Sequence, residues 1–360
     1  SLSQLTNRGQ GGVAFCYAPD TPEDVINYYE SLQNLTLGPL QPQYYVTSRW
    51  SGSLGTPRSL TWSFIPDGVT VDGKPNQLFS RMDSLLASAG GRATWIAQFE
   101  AAFARWAALT GTSYTRIRYN NNDWDDGAAF GSSGNANRGD IRIAMIEQDG
   151  PGNVLAYNYY PPYGDMVLDR DESWNQAANN YRYLRNVVLH EHGHGIGLRH
   201  VCPRDRTKLM EPNLSTTFDG PQHDDIRAAH ALYGDISGNN NTLAQAVNLG
   251  VLDVGPGIQV GPVPNPAVSF GSVLSLDQNG EQDYFSFTIP EARGVTVTVT
   301  PVGRSYDSSA QNNNGSCGSG NMINSLTAAD LAVQVLGAGG VVLATAASQP
   351  AGVAETVSGL

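Results

Sequence analysis

The stretch HEHGHGIGLRH, residues 190–200, follows the pattern H-E-x-x-H-x-x-G-x-x-H. Successive residues of an α-helix rotate by about 100°, so His190 and His194 lie on one face and offer two imidazoles to one metal ion. Glu191 flanks that face, close enough to reach a metal-bound water without being a ligand itself. His192 points to the opposite side and is not expected to bind the metal. The spacing predicts a metal-binding helix that also carries a catalytic carboxylate.

The end of the same stretch predicts a third ligand. Gly197 can adopt the left-handed backbone conformation that ends a helix, and the turned chain then brings His200 back to the metal. Three histidines leave one position of a tetrahedral zinc ion open for water, as a catalytic site requires. The glycine and the third histidine at fixed offsets lower the odds of a chance match to roughly 1 in 100.

The composition limits the classes of protein to which the chain can belong. At 360 residues it is long enough for two domains. It has 40 glycines, 20 prolines and only 15% charged residues, a balance typical of loop-rich and β-rich extracellular domains. The net charge of −12 argues against nucleic-acid binding, because no basic stripe is available to neutralise phosphates. No apolar run is long enough to span a bilayer, and the first residues lack the basic-then-apolar pattern of a signal peptide.

The three cysteines, Cys16, Cys202 and Cys317, allow at most one internal disulfide. Three interpretations stay open. Cys16 pairs with Cys202; or the Cys16 thiolate occupies the open zinc position and blocks the enzyme; or the thiols are free and inert.

The chain divides into four predicted regions. They are an N-terminal extension or propeptide-like segment over 1–57, a catalytic domain over 58–236, a linker over 237–248 and a β domain over 249–360. Permanent packing of 1–57 as part of the catalytic domain is an equally open alternative. Apolar periodicity and turn residues predict helices over 22–35, 94–109, 174–196 and 224–233, and strands over 60–65, 113–119, 140–145, 295–300, 331–335 and 341–344.

Four segments together resemble the matrixin branch of the metzincins, the group that includes matrix metalloproteinases, over roughly residues 58–235. The zinc-binding pattern is the first. The others are KLMEP at 208–212, similar to the family's Met-turn, DGPGNVLA at 149–156, similar to its calcium loop and edge strand, and DDIRAAHALYG at 224–234, similar to its final helix. The resemblance implies an α+β fold with a mixed twisted sheet plus three helices, in which the Met210 side chain forms an apolar floor under the metal.

The resemblance also implies a substrate-binding mode. Residues from Pro212 to Phe218, Leu214 among them, would wall the pocket for the side chain that follows the cut. An extended peptide would pair by main-chain hydrogen bonds with the edge strand. The residues of that strand are Asn153, Val154, Leu155, Ala156 and Tyr157.

The family pattern and this chain differ in their metal ligands. Matrixins usually hold a second, structural zinc partly through histidines, and the matching stretches LAY at 155–157 and MVL at 166–168 contain none. We therefore expect one zinc ion, at the catalytic site. Calcium ligation is better preserved, because Asp149, Asp169 and Glu172 match family positions that supply carboxylate oxygens. The alternative is that these acids only cap turns.

The C-terminal part resembles bacterial pre-peptidase C-terminal domains, which accompany secreted proteases. The similar stretches are AQAVNLG at 244–250 and GEQDYFSF at 280–287. The resemblance predicts an all-β, sandwich-like domain over 249–360, an extracellular location and a bacterial source. This domain would bind surface or extracellular material.

Together these residues predict a secreted zinc-dependent endopeptidase that acts on protein or peptide substrates. Glu191 would take a proton from the zinc-activated water and then deliver it to the leaving amine. The alternative is a latent or inactive module that binds surface material or carbohydrate and uses zinc only structurally. The family's usual latency cysteine stands in a Pro-Arg-Cys-Gly context, whereas Cys16 lies farther upstream between Phe15 and Tyr17.

Overall fold

The computed structural model describes residues 12–31, 44–255, 257–261, 273–276 and 280–360. The α-helices are confined to the first two thirds of this part of the chain. They are α1 (Glu23–Ser31), α2 (Leu78–Leu85), α3 (Gly91–Leu109), α4 (Ala178–Gly195) and α5 (His223–Tyr233).

The strands fall into two groups along the described chain. Nine precede residue 203 and eight follow residue 246. The first group is β1 (Val13–Tyr17), β2 (Arg58–Phe64), β3 (Thr70–Val71), β4 (Lys74–Pro75), β5 (Thr112–Arg116), β6 (Ile141–Ile146), β7 (Val154–Tyr159), β8 (Met166–Asp169) and β9 (Val201–Cys202). The second is β10 (Val247–Val251), β11 (Phe285–Thr288), β12 (Val297–Val299), β13 (Ser305–Ala310), β14 (Asn321–Asn324), β15 (Val333–Leu336), β16 (Val342–Ala346) and β17 (Glu355–Val357).

A mixed six-stranded sheet with the order β1-β7-β8-β6-β2-β5 organises the larger part of the molecule. β5, β2, β6 and β8 run parallel, whereas β7 is antiparallel to β8, and β1 is antiparallel to β7. β6, β7 and β8 are buried along their whole length, which fits their mostly apolar sequences.

Helices α3 and α4 pack on this sheet and enclose the main hydrophobic core. The aromatic residues spaced along α3 face inward, as their helical periodicity predicts. Trp62 of β2 stacks on Phe103 with ring centroids 4.6 Å apart, and the Trp106 indole donates to the Leu189 carbonyl at 3.0 Å. The second bond ties α3 directly to the helix that carries the metal ligands.

Several predicted boundaries change. The predicted 174–196 helix begins at Ala178, and residues 179–181 have left-handed φ values of 53–59° that interrupt its first turn. Trp174 is instead buried, with its indole donating to the Asp169 carbonyl at 2.7 Å. The 22–35 helix extends over Glu23–Ser31, and 32–35 lie outside the described residues.

The N-terminal part of the chain packs into the catalytic fold. β1 adds to the sheet beside β7, so β7 is an inner strand and its predicted role as the edge is wrong. Residues 44–50 run along the metal-binding loop, where Arg199 donates to the Tyr45 carbonyl at 2.9 Å and the Trp50 indole donates to the Gly195 carbonyl at 2.8 Å. These contacts favour the interpretation that the described parts of 1–57 are integral to the catalytic domain.

The C-terminal part forms small sheets of two or three strands. One of them reaches the catalytic region, because β13 pairs antiparallel with β9. The predicted sandwich-like domain over 249–360 and the linker over 237–248 therefore stay predictions. Among the residues placed by the structure, no helix has the length and apolar character that a bilayer crossing requires.

Candidate metal centre

The three predicted zinc ligands converge at the end of α4. The Nε2 atoms of His190, His194 and His200 lie 3.0, 3.2 and 3.3 Å from one another. All three rings are buried. A tetrahedral zinc ion with Zn–N distances of 2.0–2.1 Å needs ligand nitrogens about 3.3 Å apart, so this nitrogen triangle fits zinc.

The other ring nitrogen of each histidine is held by an acceptor. Nδ1 of His190 lies 2.8 Å from the Leu209 carbonyl, and Nδ1 of His194 lies 2.8 Å from the Leu198 carbonyl. A carbonyl oxygen can only accept, so these Nδ1 atoms donate and the Nε2 lone pairs face the shared centre. Burial lowers the pKa of His190 to about 3, with the charge of His200 adding to the effect, which keeps the imidazole neutral.

Gly197 ends the helix as predicted from its position in the motif. Its φ of 102° lies in the left-handed region, and a side chain there would overlap the Ser48 carbonyl oxygen. The chain then turns so that Leu198 donates to the Gly193 carbonyl at 2.9 Å. This turn brings His200 to the other two ligands.

Met210 lies directly beneath the metal-binding helix. A side chain at Gly193 would overlap its sulfur, so the glycine permits this close approach. The Asp225 carboxylate of α5 accepts from the amides of Leu209 and Met210 at 2.8 and 3.0 Å. The same carboxylate accepts from the Gln222 amide at 2.7 Å and so caps α5. One residue thereby fixes the Met-turn to the final helix.

Glu191 places a buried carboxyl group beside the metal ligands. Its side chain is fully buried, and among the described residues neither carboxylate oxygen has a hydrogen-bond partner of good geometry. Burial raises its pKa well above the usual range, and the backbone amide of Cys16 offsets part of this effect. A buried, unpaired carboxylate beside three metal ligands is suited to exchange protons with a reacting group.

His192 is separate from the ligands, as predicted from its position on the helix. Its ring packs against Phe103 and Tyr114, with centroids 4.6 and 4.8 Å away. Burial lowers its pKa to about 3.

Two polar partners of His200 were not predicted. Its Nδ1 lies 2.8 Å from Oε1 of Gln311 and 3.4 Å from Oε1 of Glu30. The amide of Gln311 is oriented by a second bond, from its Nε2 to the Gly315 carbonyl at 2.8 Å. Gln311 lies 111 residues beyond its partner, in a polar loop without a recognisable motif, so no sequence signal identifies it.

The predicted substrate-binding strand is paired with the chain's own N-terminal strand. Ala156 lies opposite Cys16, and Tyr157 lies opposite Phe15, in the antiparallel register of β1 and β7. The predicted pocket wall is also engaged, because Tyr17 donates to the Pro212 carbonyl at 3.0 Å. The two segments that the resemblance implied for substrate binding therefore lie on either side of residues 13–18. The other predicted substrate-binding residues contact β1 or lie in the core. Val154 lies opposite Tyr17, and the Asn153 carbonyl accepts from the Ala18 amide. The Leu214 amide donates to the Tyr17 carbonyl, and Leu155 is buried in the core.

The structure joins Cys202 to Cys317 by a disulfide, so the proposed Cys16–Cys202 pairing is wrong. Their Cα atoms are 5.4 Å apart although 115 residues separate them in sequence. Cys16 is a free, buried thiol. Burial raises its pKa, and the charges of Glu191 and Glu172 raise it further.

The three predicted calcium ligands lie in neighbouring loops and are buried or half-buried. Asp169 accepts from the amides of Gln148, Asp149 and Asp171, and Asp149 accepts from the Tyr29 hydroxyl at 3.0 Å. Glu172 accepts from a loop amide, that of Gly152. These bonds from main-chain amides brace the loop, and calcium ligation by the three residues stays a prediction. Burial raises the pKa of Asp149 to about 6, and the charge of Asp169 contributes.

The residues of this site lie in a part of the chain that is similar to known proteins. Residues 84–234 match the family model of Matrixin. This part of the chain includes the three histidines, Glu191 and Met210. Over these residues the match supports the matrixin-like metzincin expected from the sequence, whereas the resemblance of 249–360 to pre-peptidase C-terminal domains stays a prediction.

Similar curated proteins come from animals. A hatching enzyme of Paracentrotus lividus is 34% identical over 131 residues, which cover 33% of this chain and 22% of that protein. Matrix metalloproteinase-19 of Mus musculus is 32% identical over 136 residues, 37% of this chain and 25% of that protein. Neutrophil collagenase of Homo sapiens is 32% identical over 148 residues, 37% of this chain and 27% of that protein. The chain thus spans about a quarter of the length of these relatives.

Proposed function

We propose that the chain is a zinc-dependent endopeptidase that hydrolyses peptide bonds of extended protein substrates. The observation that carries the proposal is the position of the buried, unpaired Glu191 beside three histidines whose Nε2 atoms form a zinc-sized triangle. A purely structural zinc site has no use for a buried carboxylate that lacks a partner. The matrixin match and the similarity to peptidases of the matrix metalloproteinase group support the same reaction class.

The proposed mechanism assigns the proton transfers to Glu191. A zinc ion held by His190, His194 and His200 would polarise the scissile carbonyl and lower the pKa of a water molecule. Glu191 removes a proton from the attacking water and passes it to the leaving amine. Its raised pKa suits this exchange, because a carboxylate that binds the proton more tightly can hold it between the two steps.

The proposed substrate is an extended strand. The arrangement of residues 13–18 supports this, because this strand makes main-chain bonds to β7 on one side and to Pro212 and Leu214 on the other. Main-chain pairing on both sides gives affinity that is largely independent of sequence, which suits an endopeptidase for unfolded or extended protein.

Hydrolysis of denatured casein by the purified chain tests the proposal. We expect activity that is lost with a chelator, restored by zinc, and reduced by about 10²–10⁴-fold in Glu191→Ala, which should keep its zinc. Glu147→Ala, at an exposed acidic position, is the matched control and should behave as wild type. Substantial residual hydrolysis by Glu191→Ala would remove this residue from the mechanism.

The disulfide supports the predicted extracellular location. Disulfides persist in oxidising compartments and are rare in reducing ones, and Cys202–Cys317 joins β9 to the loop between β13 and β14. We infer that the chain works outside the reducing cytosol.

Calcium binding at the 149–172 loop is a further part of the proposal. Three neighbouring carboxylates with raised pKa values repel one another, and a divalent cation would relieve that repulsion. Thermal unfolding with and without calcium tests this. A rise in Tm that Asp169→Asn abolishes would support a calcium site, and an unchanged Tm would leave only the loop-bracing role.

A further inference from the structure

His200 differs from the other two histidine ligands in the origin of its hydrogen-bond acceptor. The other two ligands donate from Nδ1 to main-chain carbonyls of the same region of the chain. The acceptor nearest to Nδ1 of His200 is a side-chain oxygen, Oε1 of Gln311, at 2.8 Å. The Matrixin match covers residues 84–234, and residue 311 lies outside it. The third ligand is therefore oriented by a part of the chain beyond the family match.

Strand pairing brings Gln311 to His200. β13 runs antiparallel to β9, and its last residue, Ala310, lies opposite Val201. In an antiparallel register the residue after Ala310 comes beside the residue before Val201, so 311 meets the third ligand. The Gln311 side chain is buried at this position. The contact thus follows from the pairing of two backbone segments.

A second hydrogen bond fixes the orientation of the Gln311 amide. Its Nε2 donates to the Gly315 carbonyl at 2.8 Å, and a carbonyl oxygen only accepts. The amide oxygen therefore faces His200, whose Nδ1 must be the donor. This tautomer leaves the lone pair on Nε2, the atom that lies 3.2 and 3.3 Å from Nε2 of His194 and His190. Gln311 thus sets both the tautomer and the ring direction of a metal ligand.

Side chains of α5 anchor the same C-terminal segment. The Ser308 hydroxyl donates to the Asp224 carboxylate at 3.2 Å, and Arg227 donates to the Tyr306 hydroxyl at 2.6 Å. Asp224 and Ser308 are both buried, and a buried carboxylate is costly without hydrogen-bond donors. Residues 305–311 are therefore docked on the final helix of the matched region as well as on the metal-binding loop.

The disulfide closes the loop that carries Gln311. Cys202 lies in β9, directly after the third ligand and its neighbour, and its sulfur is joined to Cys317. Strand pairing before the loop and the disulfide after it hold both ends of 311–316 against the same short stretch of the metal-binding region. The position of Gln311 therefore depends on this covalent bond.

We propose that residues 305–317 belong to the metal centre and that Gln311 is the positioning residue of its third ligand. This inference rests on the zinc site of the proposed function and does not require turnover. The functional unit then extends past the matched residues 84–234. The Cys202–Cys317 bond has a second role in it, because it preserves the zinc affinity by keeping Gln311 in place.

Zinc affinity of the full chain, measured by competition with a chelator, tests the inference. Gln311→Met keeps the length of the side chain and removes the acceptor. We expect it to bind zinc about 10-fold more weakly than wild type, because the His200 ring loses the group that directs it. Asn312→Ala, at the exposed neighbouring position, removes a bond to Ser316 and is the matched control. It should bind zinc as wild type does.

Cobalt(II) bound in place of zinc reports the geometry of the ligands through its visible absorption. We expect the spectrum to change in Gln311→Met and to keep its wild-type form in Asn312→Ala. A weaker affinity with an unchanged spectrum would mean that Gln311 only stabilises the fold around the site. That result would overturn its positioning role.

A double-mutant cycle tests whether the disulfide acts through Gln311. Replacing Cys202 and Cys317 together by serine should also weaken zinc binding, by up to about 10-fold. In the Gln311→Met background the same replacement should add little, because both changes remove one contact. Losses that multiply would assign the effect of the disulfide to general stability and would overturn its proposed second role.

The outcomes separate this inference from the proposed function. Equal zinc affinities of wild type and Gln311→Met would overturn the inference and leave the endopeptidase proposal in place. Zinc binding with the expected differences but without casein hydrolysis would support the inference and remove the endopeptidase proposal. A wild-type chain that binds no zinc would overturn both.

Discussion

The metal ligands and the segments that cover them differ in how far apart they lie along the chain. The ligands come from eleven consecutive residues, 190–200, and the Met-turn follows ten residues later. The cover comes from segments far away in sequence, with β1 at 13–17 on the N-terminal side and Gln311 on the C-terminal side. The comparison teaches that the chemistry of this centre is encoded locally, whereas access to it and the orientation of one ligand depend on distant parts of the molecule.

The disulfide is the strongest link between the centre and its C-terminal cover. Replacing both Cys202 and Cys317 by serine should lower the free energy of unfolding by about 2–4 kcal/mol, because the bond constrains a long loop of the unfolded chain. Denaturant unfolding measures the loss, and reduction of the wild-type bond should reproduce it. An unchanged midpoint would mean that the cover is held by other contacts.

Gly197→Ala tests the locally encoded turn that brings His200 to the metal centre. A methyl group at this position overlaps the Ser48 carbonyl, so the 44–50 segment must move and His200 must move with it. Gly68→Ala is the matched control, since Gly68 also has a positive φ, 88°, and no atom within 4 Å of an added Cβ. We expect Gly197→Ala to cost about 1–3 kcal/mol more than the control and to weaken zinc binding. Equal losses would show that backbone strain alone accounts for the effect.

Gln311→Ala tests whether a residue distant in sequence affects the zinc affinity of the metal centre. Removing the acceptor of the His200 Nδ1 proton should weaken zinc binding by about 10-fold, as measured by competition with a chelator. Gln334→Ala, at an exposed position of β15, should leave the affinity unchanged. The same affinity in both variants would assign the orientation of His200 to Glu30 instead.

The smallest expected effect is the contribution of His230, in α5, to the pH dependence of folding stability. Burial lowers the pKa of His230 to about 4, whereas an unfolded histidine titrates near 6.5. Between pH 6.5 and 4 the unfolded chain binds a proton that the folded chain does not, so stability falls as the pH falls.

His230→Gln isolates this contribution. The amide keeps a donor for the Leu109 carbonyl but does not titrate. Between pH 8 and pH 6, wild type should lose less than about 1 kcal/mol more stability than His230→Gln does, and this difference should grow toward pH 4. Above pH 8 the stabilities of the two proteins should run parallel. Parallel curves over the whole range would contradict the lowered pKa.

Sequence reasoning succeeded where a function depends on spacing within one helix or turn. The convergence of His190 and His194 follows from helical periodicity, and the return of His200 follows from the conformation that glycine permits. It failed for β7, which reads as an edge strand when the sheet is considered without residues 13–17. The pairing of Cys202 with Cys317 was equally inaccessible, because distance along the chain carries no information about which strands become neighbours.

The order of the amino acids is enough to predict the metal-binding groups: three imidazoles, a carboxylate and a glycine-dependent turn within eleven residues, with a methionine nearby. The surroundings of these groups depend on the folded chain, including the strand that fills the cleft, the amide that orients His200 and the partner of Cys202. The physical reason is that α-helical geometry fixes directions over a few residues, whereas β-pairing and disulfide formation join segments whose proximity arises only when the whole chain folds.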